Sequence, residues 1–196
     1  MKYLKLFENF NFNINKYNSF KDLTEKDLYD IAKWGLLGEY DNSGAWDYAN
    51  YFDKSTVDVA AKAIVEEDFK IFLNQEFPEG FKNIPNKVTL YRFITLENED
   101  ELNRNNLGLY WFADINKPNE YGKGDDFFTQ LTHLTIDKPK NHKLYIIKTQ
   151  VDESQIDIPR TLWQRSFTNN ENEIRLKDDK NVEIISIEDY YNRKIS

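Results

Sequence analysis

Val88-Thr89-Leu90-Tyr91-Arg92-Phe93-Ile94 decides the fold. β-Branched and aromatic residues crowd the run, and turn chemistry at Pro78-Glu79-Gly80 and Pro85-Asn86 leads into it, so it reads as the first core strand. Four later stretches extend the pattern: Gly108-Leu109-Tyr110-Trp111-Phe112-Ala113, residues 143–151, residues 171–176 and residues 181–187. Polar connections rich in Asn, Asp, Lys and Gly separate them. Ahead of the strands the period changes. Phe20, Leu23, Leu28 and Ile31 recur at helical spacing around Thr24-Glu25-Lys26-Asp27, a capping-type start, and Gly35 and Gly38 end the segment. After an aromatic loop over 40–53, Ser55 caps a long helix through Phe72, with Val59, Ala63, Phe69 and Phe72 among its apolar positions. Helices followed by strands predict an α+β domain over 1–196, with a helical portion at 1–85 and a strand-rich core at 86–196. There is no internal repeat.

Composition narrows the chemistry. Fourteen Phe, 12 Tyr and 4 Trp supply a core and, at its margins, surfaces for flat rings. The net charge of −8, with no long basic run, argues against binding a phosphate backbone, so no nucleic-acid partner is expected. The absence of Cys removes thiol nucleophiles and thiolate metal sites, and His133 and His142 form no ligand cluster, so no metal is expected. Charges interrupt the apolar residues of Met1-Lys2-Tyr3-Leu4-Lys5-Leu6-Phe7-Glu8 before they reach signal-peptide length, and no segment reads as a membrane span. A cytoplasmic protein is expected.

Two features carry possible chemistry. Arg92 interrupts an apolar strand, where a buried charge requires an anion or a route to solvent. Its planar guanidinium suits a phosphate or a carboxylate, and an exposed strand Arg or a structural ion pair fits the position equally. Glu171-Asn172-Glu173 places two carboxylates at i and i+2, on the same side of a strand, so both can face one pocket. Taken alone, such a pair is the ordinary solvated face of an edge strand.

Leu90-Tyr91-Arg92, then Leu107-Gly108-Leu109-Tyr110-Trp111-Phe112-Ala113-Asp114 with Tyr121 beyond, then Glu171-Asn172-Glu173-Ile174-Arg175-Leu176, resembles in order and spacing the mono-ADP-ribosyltransferase family of the arginine–serine–glutamate type. The resemblance runs from Val88 to the end of the chain. It implies a split β-sheet core with NAD, the substrate, bound in a cleft between two small sheets. It implies that Glu173 stabilises the charge developing on the ribose and that Glu171 orients or deprotonates the acceptor, an arginine of a target protein. Arg92 and the adjacent Tyr91 would hold the NAD phosphates or ribose, and Tyr110, Trp111 and Tyr121 would offer rings to nicotinamide, with at least one of the three spent on core packing. The family's second strand carries hydroxyl side chains where this chain has Trp111-Phe112-Ala113. Thr161, Ser166 and Thr168 are candidates to replace them.

The implied activity is that of a toxin or host-takeover factor. The opening Met1 to Phe10 also resembles the starts of proteins from large tailed bacteriophages, which would put the action in a bacterial host cell. Two other readings share the site: NAD hydrolysis with water as acceptor, and a non-enzymatic binding or virion-associated protein that keeps the fold, which the missing hydroxyls favour. Asp152-Glu153 and Lys177-Asp178-Asp179-Lys180 read as turn chemistry and solvated charge. Gly122-Lys123-Gly124 lacks the spacing of a phosphate loop.

Overall fold

The computed structural model describes residues 12–37, 54–76, 84, 86–103, 107–113, 143–167, 173–179 and 182–189. The chain forms two compact units. One comprises Met1–Ile84 with Asp157–Asn170, the other Pro85–Ile156 with Glu171–Ser196. The described elements are α-helices in the first unit and a five-stranded antiparallel sheet in the second, an α+β chain.

In the helical unit, α1 spans Glu25–Leu36. The Thr24 side chain accepts from the Asp27 backbone N–H, and the Asp27 carboxylate accepts from that of Thr24, closing the expected capping box. Gly35 lies inside this helix instead of ending it. A Cβ at Gly35 would fall within the ring of Trp163, so the missing side chain makes room for the indole. The next helix begins as α2, Lys54–Ile64, passes through a π turn at Val65–Phe69, and continues as α3, Lys70–Glu76.

The π turn has a reason in the sequence. Val57, Ala61, Val65, Phe69 and Leu73 are all buried, every fourth residue. In a regular α-helix each such step overshoots a full turn by about 40°, and the stripe would wind off the core. An extra residue in one turn takes up much of that drift. Of the apolar positions expected here, Phe69 and Phe72 are buried, whereas Val59 is 69% exposed and Ala63 is exposed. Val59 stands two residues from Val57 and Ala61, close to the opposite side of the helix.

A further helix, α4 (Ile158–Phe167), falls where the sequence reading had only a connection. Asp157 starts it: its carboxylate accepts from the Arg160 backbone N–H at 3.3 Å and pairs with the Arg160 guanidinium at 2.8 Å. Ile158, Leu162 and Trp163 are buried along one side. No described helix is long and apolar enough to cross a membrane.

In the second unit the strands are β1 (Lys87–Leu96), β2 (Tyr110–Phe112), β3 (Lys143–Asp152), β4 (Glu173–Arg175) and β5 (Ile184–Asp189), ordered β4-β2-β1-β3-β5. All five expected runs therefore contain a strand. The long β1–β3 ladder runs from Lys87↔Asp152 to Leu96↔Lys143 and forms the centre. Leu90, Trp111, Ile147 and Ile174 are fully buried. A second cluster, Phe93, Leu144 and Ile146 with Tyr91 and Phe112 packed on it, occupies the alternate positions. A register shift at Lys148/Thr149 bends the β3–β5 pair, and the Thr149 hydroxyl donates to the Glu183 carbonyl at 2.5 Å.

Candidate functional site

The strands that carry the three motifs lie side by side, with β2 between β1 and β4. Registers link Tyr91 to Phe112 and Phe112 to Glu173, so these three residues form one row across the sheet. Directly opposed residues in antiparallel strands project to the same face. The burial patterns agree. In β4, Ile174 is buried between half-buried Glu173 and Arg175, and in β2, Trp111 is buried between half-buried Tyr110 and Phe112. One face thus presents Tyr91, Tyr110, Phe112, Glu173 and Arg175.

Packing holds this face in shape. The Phe93 and Phe112 rings meet edge to face with centroids 6.2 Å apart. Tyr110 is registered with Arg175, whose guanidinium carbon lies 5.4 Å from the Tyr110 ring centroid, a cation–π arrangement. Glu173 therefore stands beside aromatic rings, with a guanidinium one pleat repeat along its own strand.

Arg92 behaves differently from the expectation that it meets Glu173 across one cleft. It follows Tyr91, so its side chain leaves β1 on the face opposite Glu173, and β2 separates the two strands. Its guanidinium lies over the chain entering β2 and donates to the Tyr110 carbonyl at 2.7 Å. Gly108 makes that approach feasible: its φ is 77°, and a Cβ there would be 2.7 Å from one terminal nitrogen of Arg92. Arg92 Nε is buried and has no hydrogen-bond partner among the described residues. Burial pushes the guanidinium pKa down from its ordinary value, while the charges of Glu173 and Asp179 pull it back up. The geometry is that of a clamp between β1 and β2.

Trp111 is also a structural residue. It is fully buried and its Nε1 donates to the Gly108 carbonyl at 3.0 Å, so its ring is taken up by the core and offers no face to a ligand. Glu171 and Tyr121 lie outside the described residues, as do His133, His142, Thr168 and the Gly122–Lys123–Gly124 stretch. Thr161 is buried within the helical unit.

Three residues that the sequence reading did not assign to the site belong to this arrangement: Phe112, Arg175 and Gly108. Phe112 and Arg175 were legible as i+2 partners of Tyr110 and Glu173. The role of Gly108 depends on an approach between segments that no local pattern encodes. Among the described residues no group of three or more His, Asp or Glu is arranged to hold a metal ion. No family model, no curated protein and no solved structure matches the chain.

Proposed function

We propose that this chain is an NAD-consuming mono-ADP-ribosyltransferase that modifies a protein, with an arginine acceptor favoured. The observation that carries the reading is the row Tyr91–Phe112–Glu173, which sets a half-buried carboxylate at the end of an aromatic face on the strands bearing the three motifs. A flat ring fits such a face, and a fixed anion fits the charge that develops beside it.

In this reading Glu173 accepts a hydrogen bond from the 2′-hydroxyl of the nicotinamide ribose and stabilises positive charge on that sugar as the bond to nicotinamide breaks. Its carboxylate acts more strongly on the transition state than on the neutral sugar, which is the requirement for catalysis. Tyr91, Tyr110 and Phe112 provide the surface against which the ring stacks. Glu171, two residues before Glu173, takes the proton from the acceptor nitrogen as the new bond to the anomeric carbon forms. Nicotinamide leaves with the bonding electron pair. The same resemblance would make it a toxin or host-takeover factor, and the phage-like opening Met1 to Phe10 would put that role in a bacterial cell.

The second reading is a binding protein that keeps the fold without the reaction. It is favoured by β2, where Trp111 is committed to the core and Phe112 brings no hydroxyl to brace Glu173. Etheno-NAD separates the two: an enzyme raises its fluorescence over time, and a binder leaves it constant. Radiolabelled NAD with cell lysate then distinguishes label on protein, the mark of a transferase, from free ADP-ribose, the mark of a hydrolase. No turnover of either kind would overturn the enzymatic reading.

A further inference from the structure

We propose that Arg175, and not Arg92, holds the anionic part of the ligand, so that the site takes a nucleotide diphosphate along β4. The inference rests on the NAD reading and assigns the phosphate contact within it. Three observations support it.

First, Arg175 and Glu173 share a face, because Ile174 between them is fully buried on the other side. Along a strand, i and i+2 positions are about 7 Å apart. That is of the same order as the reach from the anomeric carbon of a ribose across its ring and C5′ to the phosphate. A ligand whose ribose sits at Glu173 therefore brings its diphosphate near Arg175.

Second, the guanidinium of Arg175 lies over the Tyr110 ring, 5.4 Å from its centroid. A guanidinium held beside an aromatic ring loses part of its freedom and stays on the face that carries Glu173, where its terminal N–H groups can meet phosphate oxygens. The ordering entropy is then partly met before the ligand arrives.

Third, Arg92 is committed elsewhere. It donates to the Tyr110 carbonyl, lies against Gly108, and leaves its strand on the face away from Glu173. Its described hydrogen bond joins β1 to β2 and lies on the face away from Glu173.

The test compares full-length wild type with Arg175→Gln, Arg175→Lys and Arg92→Lys by calorimetry, with thermal melting of each. The probes are NAD and nicotinamide riboside, which keeps the ring and ribose but lacks the phosphates. The expected result is that Arg175→Gln weakens NAD binding roughly 10- to 100-fold, while riboside binding changes less than about twofold. Arg175→Lys keeps the charge without the fork and should fall between wild type and Arg175→Gln. It also serves if Arg175→Gln does not fold. Arg92→Lys should lower the melting temperature and leave NAD affinity near wild type. The inference is overturned if Arg175→Gln and Arg175→Lys bind NAD as wild type does, if Arg175→Gln weakens both probes equally, or if Arg92→Lys alone loses NAD with its fold intact. Each of these leaves the NAD reading standing. Wild type that binds neither probe overturns that reading and the inference with it.

Discussion

Gly108 lies against the guanidinium of Arg92, with the site of a Cβ only 2.7 Å from a terminal nitrogen and a backbone φ of 77°. A side chain there meets two separate penalties, the left-handed backbone and the displaced Arg92. The backbone alone is worth about 1–2 kcal/mol for an L-residue. We therefore expect Gly108→Ala to destabilise the protein by at least that much in urea denaturation. In a double-mutant cycle with Arg92→Ala the two losses should fall short of adding, because the contact is removed once. Strict additivity would mean that the residues do not interact.

Glu173→Gln removes a charge at nearly constant volume. Loss of one preorganised electrostatic contact reduces rates by on the order of 100-fold or more. NAD turnover should fall by that amount with the melting temperature close to wild type. Full activity in the variant would eliminate Glu173 as the stabilising acid.

Glu171 should govern the acceptor more than the cleavage. Glu171→Gln is expected to impair transfer to protein by a larger factor than hydrolysis to free ADP-ribose, both measured on one preparation. Equal losses would place Glu171 with the NAD-binding groups and remove the support for an arginine acceptor.

Gly35→Ala forces a methyl group into the space of the Trp163 ring within the helical unit. Overpacking of this kind costs about 1–3 kcal/mol. Trp163→Leu, which vacates that space, should destabilise less when combined with Gly35→Ala than the two single effects would sum to. Chemical denaturation of the four proteins decides it.

Tyr29 provides the pH test. Burial, then a hydrogen bond donated to Asp58 at 2.6 Å, pushes its phenol pKa up to about 12 from an ordinary 10.0. The folded protein then holds the proton more tightly than the unfolded chain. The stabilisation is complete below pH 10 and declines as pH rises through the window from 10 to 12. Tyr29→Phe should lose less stability than wild type across that window, and the difference spectrum between them should contain a phenol titrating near the upper end. A phenol titrating near 10 in wild type would contradict the assignment.

Much of the fold was legible because its signals are local. Thr24 and Asp27 announce a helix start by chemistry confined to one turn, and Val88 to Ile94 announces a strand by composition alone. Helix α4 was missed although Asp157-Ile158-Pro159 is a good start signal, an acid before a first turn containing Pro. Its interior also holds Thr161 and Gln164, both buried, which blunts the apolar period. For the site, the spacing of Glu173 was readable but the face of Arg92 was not. Which side of the sheet a strand residue faces depends on pairing register with a partner far along the chain, and a shift of one residue reverses it.

The π turn at Val65–Phe69 makes the helical unit sensitive to residue count as well as residue type. Deleting one residue there would let the segment relax into an unbroken α-helix with the side chains beyond it keeping nearly their present directions, because the turn already absorbs the extra residue. Straightening the turn at full length would instead rotate those side chains by about 100° and push them on by about 1.5 Å. Phe72 and Leu73 would then swing away from the interior together. The helix is phase-locked to its core, so losing a residue here would do less harm than losing one in the regular turns of α2.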